Sequence, residues 1–302
     1  MDKADEFAAW PLTEMNNPRA TDIDLRSTRE ILQLINDEDR GVIDAVAAEL
    51  EHIAAAVDAI YTRMREGGRL IYVGAGTSGR LGIVDASEMT PTFSVPRELV
   101  IGLMAGGEEA MFRSVEGAED KLELGREDLV RLAVRAQDSV VGIAASGRTP
   151  YVIGALQEAR ARGALTISLA CTFPAPIHQM AELYIAPLTG PEVIEGSTRM
   201  KAGTATKLVL NMISTTVMIK LGKTYGNLMV DLQPTNQKLR ERARRMVERT
   251  TALPREEAQA LLDRAGDVKT AIVMHHAGIA REAARERLAA AGGSVRRALA
   301  RE

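Results

Sequence analysis

Two short segments of the sequence share one pattern of residue types. Residues 70–80 read L-I-Y-V-G-A-G-T-S-G-R, and residues 140–150 read V-V-G-I-A-A-S-G-R-T-P. In each, an apolar run ends at small residues, which are followed by a serine and by Gly-Arg. This order predicts a buried strand, a tight turn and then a helix N-terminus with unpaired main-chain N–H groups. Such N–H groups and hydroxyls donate to phosphate oxygens, so the two segments predict one phosphorylated ligand held from two sides.

A dinucleotide site is the competing interpretation of the first segment. Gly74, Gly76 and Gly79 match G-x-G-x-x-G, which is a weak signal alone. A nucleotide site also needs an acidic residue at the end of the next strand. That strand, residues 99–104, continues into Ala-Gly-Gly instead. A sugar-phosphate pocket is therefore favoured, and tight strand-to-helix turns without a ligand remain the structural alternative.

The composition excludes several classes of protein. The chain has 302 residues, 46% of them hydrophobic, and a net charge of −3; this is typical of a globular protein and argues against nucleic-acid binding. Its single cysteine, Cys171, permits no internal disulfide, is expected to be a buried thiol and favours the cytoplasm. We expect no signal peptide and no membrane span. The four histidines have no metal-site spacing, so no metal is expected.

Carboxylates and a third loop supply further candidate groups. Glu88 follows the first segment, and Glu116, Glu119 and Asp120 lie in S-V-E-G-A-E-D. Two carboxylates of different pKa can divide acid and base roles, but spacing alone does not select among these residues.

The third loop, residues 191–207, reads P-E-V-I-E-G-S-T-R-M-K-A-G-T-A-T-K. Ser197 and Thr198 are expected either to cap the following helix or to close the pocket. Arg199 and Lys201 would add positive charge near an anionic ligand.

The order of predicted elements indicates a parallel sheet with helices on both faces. Helices are expected near residues 27–35, 41–66, 79–89, 108–119, 150–162, 175–181 and 198–221, and strands at 70–73, 99–104, 139–144, 165–170 and 183–187. The tail is expected to form short helices separated by Pro254, Gly266 and Gly292-Gly293, with arginines on solvated faces. We predict an N-terminal helical segment at 1–55, a sugar-phosphate domain at 56–232 and a small helical domain at 233–302.

Several segments together resemble the N-acetylmuramic acid 6-phosphate etherase family of the sugar isomerase (SIS) superfamily, which is related to the glucokinase regulatory proteins. They are T-E-M-N-N-P-R (13–19), I-N-D-E-D (35–39), I-Y-V-G-A-G-T-S-G-R-L-G-I-V-D-A-S-E (71–88), V-E-G-A-E-D (115–120), V-V-G-I-A-A-S-G-R-T-P-Y-V (140–152), G-S-T-R-M-K-A-G-T-A (196–205), G-N-L-M-V-D (226–231) and G-G-S-V-R-R-A-L (292–299). The resemblance implies an α/β fold, with a SIS-type parallel sheet in three α/β/α layers, N-terminal helices and a small C-terminal helical domain.

The resemblance also implies a reaction and its residues. The family removes D-lactate from C3 of N-acetylmuramic acid 6-phosphate, by elimination followed by water addition, without a cofactor, in the recycling of cell-wall amino sugars. By resemblance, Glu88 is the acid for the departing lactate and Glu119 is the second catalytic glutamate, the C2 base. The expected substrate-binding residues are Thr77, Ser78, Gly79, Arg80, Ser146, Gly147, Arg148, Thr149, Ser197, Thr198 and Lys201. No role is expected for Glu195.

One distance constrains this assignment. Glu88 lies ten residues after Ser78, and a straight helix separates them by ~15 Å, which exceeds the length of a hexose 6-phosphate. Either the helix is broken near Gly82 or Glu88 reaches a neighbouring subunit. We expect a homodimer with the site near the subunit interface.

Three other functions stay open. An aldose–ketose isomerase on the same fold would also use a carboxylate near C2, and a non-catalytic sugar-phosphate-binding regulator would keep the two serine loops. The presence of both glutamates favours the enzyme over the regulator. A purely structural oligomerisation module would leave the serine loops without a purpose.

Overall fold

A computed structural model describes residues 10–113, 115–232 and 237–300 of the chain. At its centre is a sheet of five parallel strands in the order β2-β1-β3-β4-β5. The strands are β1 (Leu70–Gly74), β2 (Val100–Met104), β3 (Ser139–Ile143), β4 (Leu165–Leu169) and β5 (Leu183–Ile185). All five strands predicted from the sequence are confirmed, because each is an apolar run closed by small or polar residues.

Twelve α-helices are found in the part of the chain that the structure describes. They are α1 (Thr28–Ala47), α2 (Leu50–Arg65), α3 (Gly76–Phe93), α4 (Leu122–Arg131), α5 (Pro150–Ala161), α6 (Pro176–Gln179), α7 (Lys201–Lys220), α8 (Gln237–Thr251), α9 (Arg255–Ala265), α10 (Val268–Ala277), α11 (Arg281–Ala290) and α12 (Val295–Leu299). The chain divides into two compact units, residues 1–87 with 97–214 and residues 88–96 with 215–302. The domain limits predicted at 55/56 and 232/233 stay predictions, and residues 233–236 lie outside the described residues.

Helices cover both faces of the sheet. On one face, Ile71 and Val73 of β1 share a buried core with Leu129 of α4 and Leu156 of α5. The intervening Tyr72 points the other way, since successive side chains alternate across a strand. On that face α3 comes so close that a Cβ on Gly82 would lie 2.9 Å from Tyr72 Cβ. The expected three-layer α/β/α arrangement is therefore confirmed.

The strand order brings the two serine-containing segments together. β1 pairs with β2 on one side and with β3 on the other. After β1 the chain therefore continues toward one edge of the sheet, and after β3 it continues toward the other edge. In a parallel sheet with this order, the carboxyl ends of the two central strands border the crevice where ligands bind. The loops after β1 and β3 are the two segments identified from the sequence.

The N-terminal helices are divided differently from the prediction. The sequence predicted helices at 27–35 and 41–66, whereas α1 continues through Gly41 and the break comes at residues 48 and 49. Ser27 and Glu30 form a reciprocal capping box at the start of α1. One glycine in a helix interior costs only about 1 kcal/mol, so it does not end the helix. At the break between α1 and α2, the Glu49 carboxylate accepts a hydrogen bond from the N–H of Ala186 across 2.8 Å.

The helix predicted at residues 108–119 is wrong. Among the described residues 108–113 and 115–119, helical structure is confined to a 3₁₀ turn, Glu108–Met111, and α4 follows as a helix that the sequence pattern does not predict. Gly107 and Gly117 have φ angles of +67° and +70°, a left-handed conformation that ends regular helix on both sides of this segment.

The second unit has its own apolar core, formed by α8 to α12 and the preceding segment around Val230. As predicted, Pro254 precedes α9 and Gly266 caps its end in the left-handed conformation. Within this unit the Lys269 ammonium donates to the carbonyls of Gly222 and Gly293 and pairs with Asp231. This buried lysine joins three separate stretches of the unit.

Cys171 is buried, as expected. Burial raises the pKa of its thiol to about 12, so the thiol stays protonated at neutral pH and is not a nucleophile. In the described part of the chain, no helix has the length and apolar character needed to cross a bilayer.

Candidate active site at the carboxyl ends of two central strands

A cavity of about 410 Å³ lies at the carboxyl ends of β1 and β3, and we term it the main cavity. Both serine-containing loops contribute to it. Its lining residues are Glu14, Ala75, Gly76, Thr77, Ser78, Glu119, Asp120, Ala144, Ala145, Ser146, Arg148, Thr149, Pro150 and Thr198. The cavity thus combines five hydroxyl side chains with three carboxylates and one guanidinium, all of them within the first compact unit.

The first loop presents hydroxyls at a helix N-terminus. α3 starts at Gly76, so Thr77 and Ser78 occupy its first turn, where main-chain N–H groups have no partner within the helix. Gly79 does not line the cavity. It allows a close approach instead, because a Cβ there would lie 2.5 Å from Met104 Cβ and 2.9 Å from Gly74 O. The first loop therefore offers an anion site, with Gly79 keeping the turn tight.

The second loop offers a matching set of donors after β3. Ser146, Arg148 and Thr149 line the main cavity, and α5 begins at the next residue with Pro150 in its first turn. Gly147 does not line the cavity. Its φ is +69°, and a Cβ there would lie 2.3 Å from Ala175 Cβ. Glycine is required at this position for the shape of the turn.

Glu119 is held beside the second loop by its backbone. The carbonyl of Glu119 accepts the N–H of Tyr151, across 3.0 Å, in the first turn of α5. The preceding residue, Ala118, is buried in the core that α4 and α5 share with the sheet. The main chain of Glu119 is thus fixed by its bond to Tyr151 and by the burial of Ala118, while its carboxylate is exposed at the edge of the main cavity. A general base must lie within hydrogen-bond reach of the proton that it removes.

The third loop contributes Thr198 to the main cavity but not Ser197. Neither residue caps α7. The cap is the buried carboxylate of Glu192, which accepts the N–H groups of Lys201 and Ala202 across 3.0 and 2.9 Å. Burial raises the pKa of Glu192, although these two N–H donors oppose the rise. The sequence pattern does not signal this cap, because the carboxylate lies nine residues upstream of the helix.

Lys201 does not line the main cavity either. Its ammonium pairs with the Glu38 carboxylate across 2.6 Å, and both side chains are at most one-tenth exposed. Glu38 also binds Arg19 and Asn17. The structure thus places the Lys201 ammonium in a buried ion pair with Glu38, whereas the resemblance implies that Lys201 binds substrate.

Arg80 lines a second cavity, of about 340 Å³, which we term the side cavity. Its guanidinium donates through Nε to Met111 O and through Nη2 to Ala110 O, across 3.1 and 2.8 Å. The side cavity shares Ala75, Gly76 and Glu119 with the main cavity, and its other lining residues are Arg80, Met104, Ala105, Ala110, Val115, Glu116 and Gly117. Glu119 therefore borders both cavities.

Glu88 is exposed and does not line either cavity. It lies on α3, which is unbroken from Gly76 to Phe93, so the break near Gly82 considered from the sequence is not found. A straight helix places Glu88 ~15 Å along the axis from Ser78. Of the two expected catalytic glutamates, Glu119 lines both the main and the side cavity and Glu88 lines neither.

Glu14 lines the main cavity although it precedes the first strand by more than fifty residues, and the sequence analysis gave it no role. A Cβ on Gly196 would lie 2.8 Å from its Oε2, so the third loop passes directly over this carboxylate. The available signal was the segment at 13–19, which takes part in the family resemblance. Asp120 also lines the cavity, next to Glu119.

Comparison with known proteins identifies related chains. The model of the glucokinase regulatory protein N-terminal SIS domain matches residues 52–160, and that of the SIS domain matches residues 122–216. Proteins of Salmonella agona and Salmonella typhi, both named N-acetylmuramic acid 6-phosphate etherase, are 52% identical over 289 residues, covering 95% of this chain and 97% of theirs.

Two solved structures that match this chain are more distant in sequence. A chain from Escherichia coli CFT073 is 15% identical, with a TM-score of 0.49 over 67% of this chain and 97% of that one. A phosphoheptose isomerase from Francisella tularensis is 18% identical, with a TM-score of 0.46 over 63% of this chain and 99% of that one.

Proposed function

This chain belongs to the N-acetylmuramic acid 6-phosphate etherase family, and from that premise we propose how its own residues act. The proposed reaction converts N-acetylmuramic acid 6-phosphate and water into D-lactate and N-acetylglucosamine 6-phosphate. One observation carries the assignment to this site. Glu119, a candidate base, shares one cavity with both of the loops that offer phosphate donors.

The phosphate is bound where the loops after β1 and β3 face the main cavity. Thr77 and Ser78 stand at the N-terminus of α3, and Ser146 and Thr149 stand before α5, with Thr198 from the third loop beside them. Hydroxyls, helical N–H groups and the positive end of the helix dipole all favour a dianion. The phosphate end fixes the sugar, and the rest of the substrate extends toward Glu119.

The chemistry begins with a proton transfer to Glu119. In the open-chain sugar the C2–H lies beside the C1 aldehyde, so the carbanion formed is delocalised as an enolate. Electrons then form the C2=C3 double bond as the C3–O bond breaks, and the departing lactate oxygen takes a proton from an acid. Water adds back across the double bond, with its hydroxyl at C3 and its hydrogen at C2. No oxidation occurs, so carboxylates suffice as proton carriers.

The acid is Glu88 in this proposal, and it serves the site of a second subunit. α3 is unbroken, and Glu88 is exposed on the same side of it as Val84, Ser87 and Pro91, at helical spacings of three and four residues. A two-fold homodimer places this helix face of one chain toward its partner. Mixing inactive Glu88→Gln and Glu119→Gln chains should restore about a quarter of wild-type activity, because each mixed dimer then keeps one intact site.

We place the reaction in the cytoplasm, because the protein carries one reduced, buried thiol and no disulfide. The other chemistry that this fold could support is aldose–ketose isomerisation, which also starts with a proton at C2. It would release no lactate, so the products separate the two activities.

Product identification tests the proposed function. The full-length protein is incubated with N-acetylmuramic acid 6-phosphate, and D-lactate is measured enzymatically while the sugar phosphate is followed by mass spectrometry. We expect stoichiometric D-lactate and N-acetylglucosamine 6-phosphate, and no conversion of glucose 6-phosphate to fructose 6-phosphate. Isomerisation without lactate release would overturn the proposal.

A further inference from the structure

We infer that the side cavity binds the 2-acetamido group of the substrate and that Arg80 and Val115 there determine which acyl group is accepted; the inference rests on the function proposed above. The position of Glu119 supports this placement of the acetamido group. Glu119 borders both cavities, and the carbon from which it takes a proton, C2, carries the acetamido group. That group therefore lies beside Glu119. With the phosphate in the main cavity, the side cavity is the space that continues past Glu119.

The lining of the side cavity suits a short acyl chain. Met104, Ala105, Ala110 and Val115 give it apolar walls, and burial of one methyl group against such walls improves affinity about fourfold. Val115 and Ala110 pack against the backbone of Gly106, since a Cβ there would lie 2.8 Å from Val115 Cβ and 3.0 Å from Ala110 Cβ. Val115, which is 38% exposed, is thus held at the rim of the side cavity, where its side chain limits the size of the acyl group.

Arg80 supplies a donor for the amide oxygen. Its Nε and Nη2 are bound to main-chain carbonyls, which fixes the plane of the guanidinium. Among the described residues Nη1 has no acceptor, and we assign this nitrogen to the carbonyl oxygen of the acetamido group. Because the guanidinium is held by backbone atoms, it does not need to reorganise when the ligand enters.

The charges of the side cavity argue against its other possible guest, the lactyl group at C3. The charged residues that line the side cavity are one arginine, Arg80, and two glutamates, Glu116 and Glu119. A third carboxylate, from lactate, would add like-charge repulsion there. A neutral acetamide meets no such repulsion, and it uses both the apolar wall and the Nη1 donor.

Calorimetric titration of the full-length protein tests the inference through binding alone. The probes are N-acetylglucosamine 6-phosphate, N-propionylglucosamine 6-phosphate and glucose 6-phosphate, which differ only in the group at C2. The variants are Val115→Phe, which fills the side cavity, and Val115→Ala, which enlarges it. Val130→Phe and Val130→Ala are the matched controls, since Val130 is a half-exposed valine on α4 that lines neither cavity.

We expect wild type to prefer N-acetylglucosamine 6-phosphate over glucose 6-phosphate. Val115→Phe should weaken binding of the N-acetyl ligand about tenfold, because the larger ring takes up space at the rim of the side cavity, and should leave binding of glucose 6-phosphate unchanged. Val115→Ala should raise the affinity for the N-propionyl ligand about fourfold relative to that for the N-acetyl ligand, which is the effect of burying one methylene. Both Val130 controls should behave as wild type.

Two results would overturn the inference in distinguishable ways. If Val115→Phe weakens all three ligands equally, or none, the side cavity is not the acetamido site, while the proposed function stands. If wild type binds none of the three sugar phosphates, the proposed function fails together with the inference.

Discussion

The phenol of Tyr72 donates a hydrogen bond to the carboxylate of Asp85 across 3.0 Å, in the interior beneath the first loop. Asp85 Oδ1 also accepts from Asn211 Nδ2 and Ser214 Oγ, across 2.7 and 3.1 Å. One carboxylate thus links β1, α3 and α7. Burial raises the pKa of Asp85, although these three hydrogen bonds oppose the rise. The network fixes the helix whose N-terminus is the proposed phosphate site.

Replacing Tyr72 with phenylalanine should destabilise the protein by about 1–3 kcal/mol, because a buried carboxylate oxygen loses its donor. Thermal unfolding would measure the loss. Tyr184→Phe is the control, since Tyr184 is partly exposed and its substitution should change stability by less than about 0.5 kcal/mol. An unchanged melting temperature in Tyr72→Phe would show that the pair does not stabilise the fold.

Asp138 should make stability depend on pH. This carboxylate is fully buried and pairs with Arg69 across 2.6 Å. Burial raises the pKa of Asp138, but hydrogen bonds from Arg69 and from the N–H of Arg135 outweigh burial and hold it below its ordinary 3.8. A lowered pKa in the folded state contributes stability that is present above the unfolded-state pKa and is lost as the pH falls through the folded-state pKa.

We therefore expect Asp138→Asn to cost about 3 kcal/mol at neutral pH. The difference in the free energy of unfolding between Asp138→Asn and wild type should become smaller once the pH falls below 3.8, the ordinary pKa of an aspartate. Melting temperatures of both proteins, measured from neutral pH to about pH 3, would show this. The exposed Asp24→Asn is the control, and a difference that stays constant with pH would contradict the assignment.

Lys201→Met should act on stability and not on catalysis. Lys201 and Glu38 form a buried ion pair, and removing one member of such a pair costs about 3 kcal/mol. Glu38→Gln removes the other charge and should destabilise the protein in the same direction, with kcat and KM unchanged in both variants. A raised KM with wild-type stability in Lys201→Met would instead return Lys201 to substrate binding.

Ser78→Ala and Ser146→Ala should each weaken binding of N-acetylglucosamine 6-phosphate about 10- to 100-fold, since a hydrogen bond to a charged group contributes about 1.5–3 kcal/mol. Titration of N-acetylglucosamine, which lacks the phosphate, provides the comparison and should show no effect of either substitution. Loss of affinity in only one of the two variants would mean that the phosphate is held from one side.

The sheet and the two loops could be predicted from sequence because their signals are local. The apolar run before Gly74 and the one before Ala144 each carry a strand and its turn within about ten residues, and the pocket-lining Ser78 and Ser146 follow directly. The path of residues 108–121 could not be predicted in the same way. There the positive φ angles of Gly107 and Gly117 override an acidic, helix-like composition.

The roles of residues whose partners are distant along the chain could not be predicted from the sequence either. Glu192 caps α7 from outside the helix, and Lys201 is drawn from the proposed ligand by Glu38, 163 residues away along the chain. Glu14 likewise reaches the main cavity from a distant part of the chain, the N-terminal segment. Such pairings follow from tertiary packing, which neither periodicity nor residue spacing encodes.

The most direct test of the proposed chemistry follows hydrogen at C2 and lactate together, in D₂O. Wild type should release D-lactate and leave deuterium at C2 of the sugar phosphate. Glu119→Gln, which keeps the main-chain bond to Tyr151, should lose both signals by about 10²- to 10⁴-fold, the usual effect of removing a general base. Glu88→Gln should lose lactate release but retain exchange at C2. Lactate release by Glu119→Gln at the wild-type rate would contradict the assignment of Glu119 as the base.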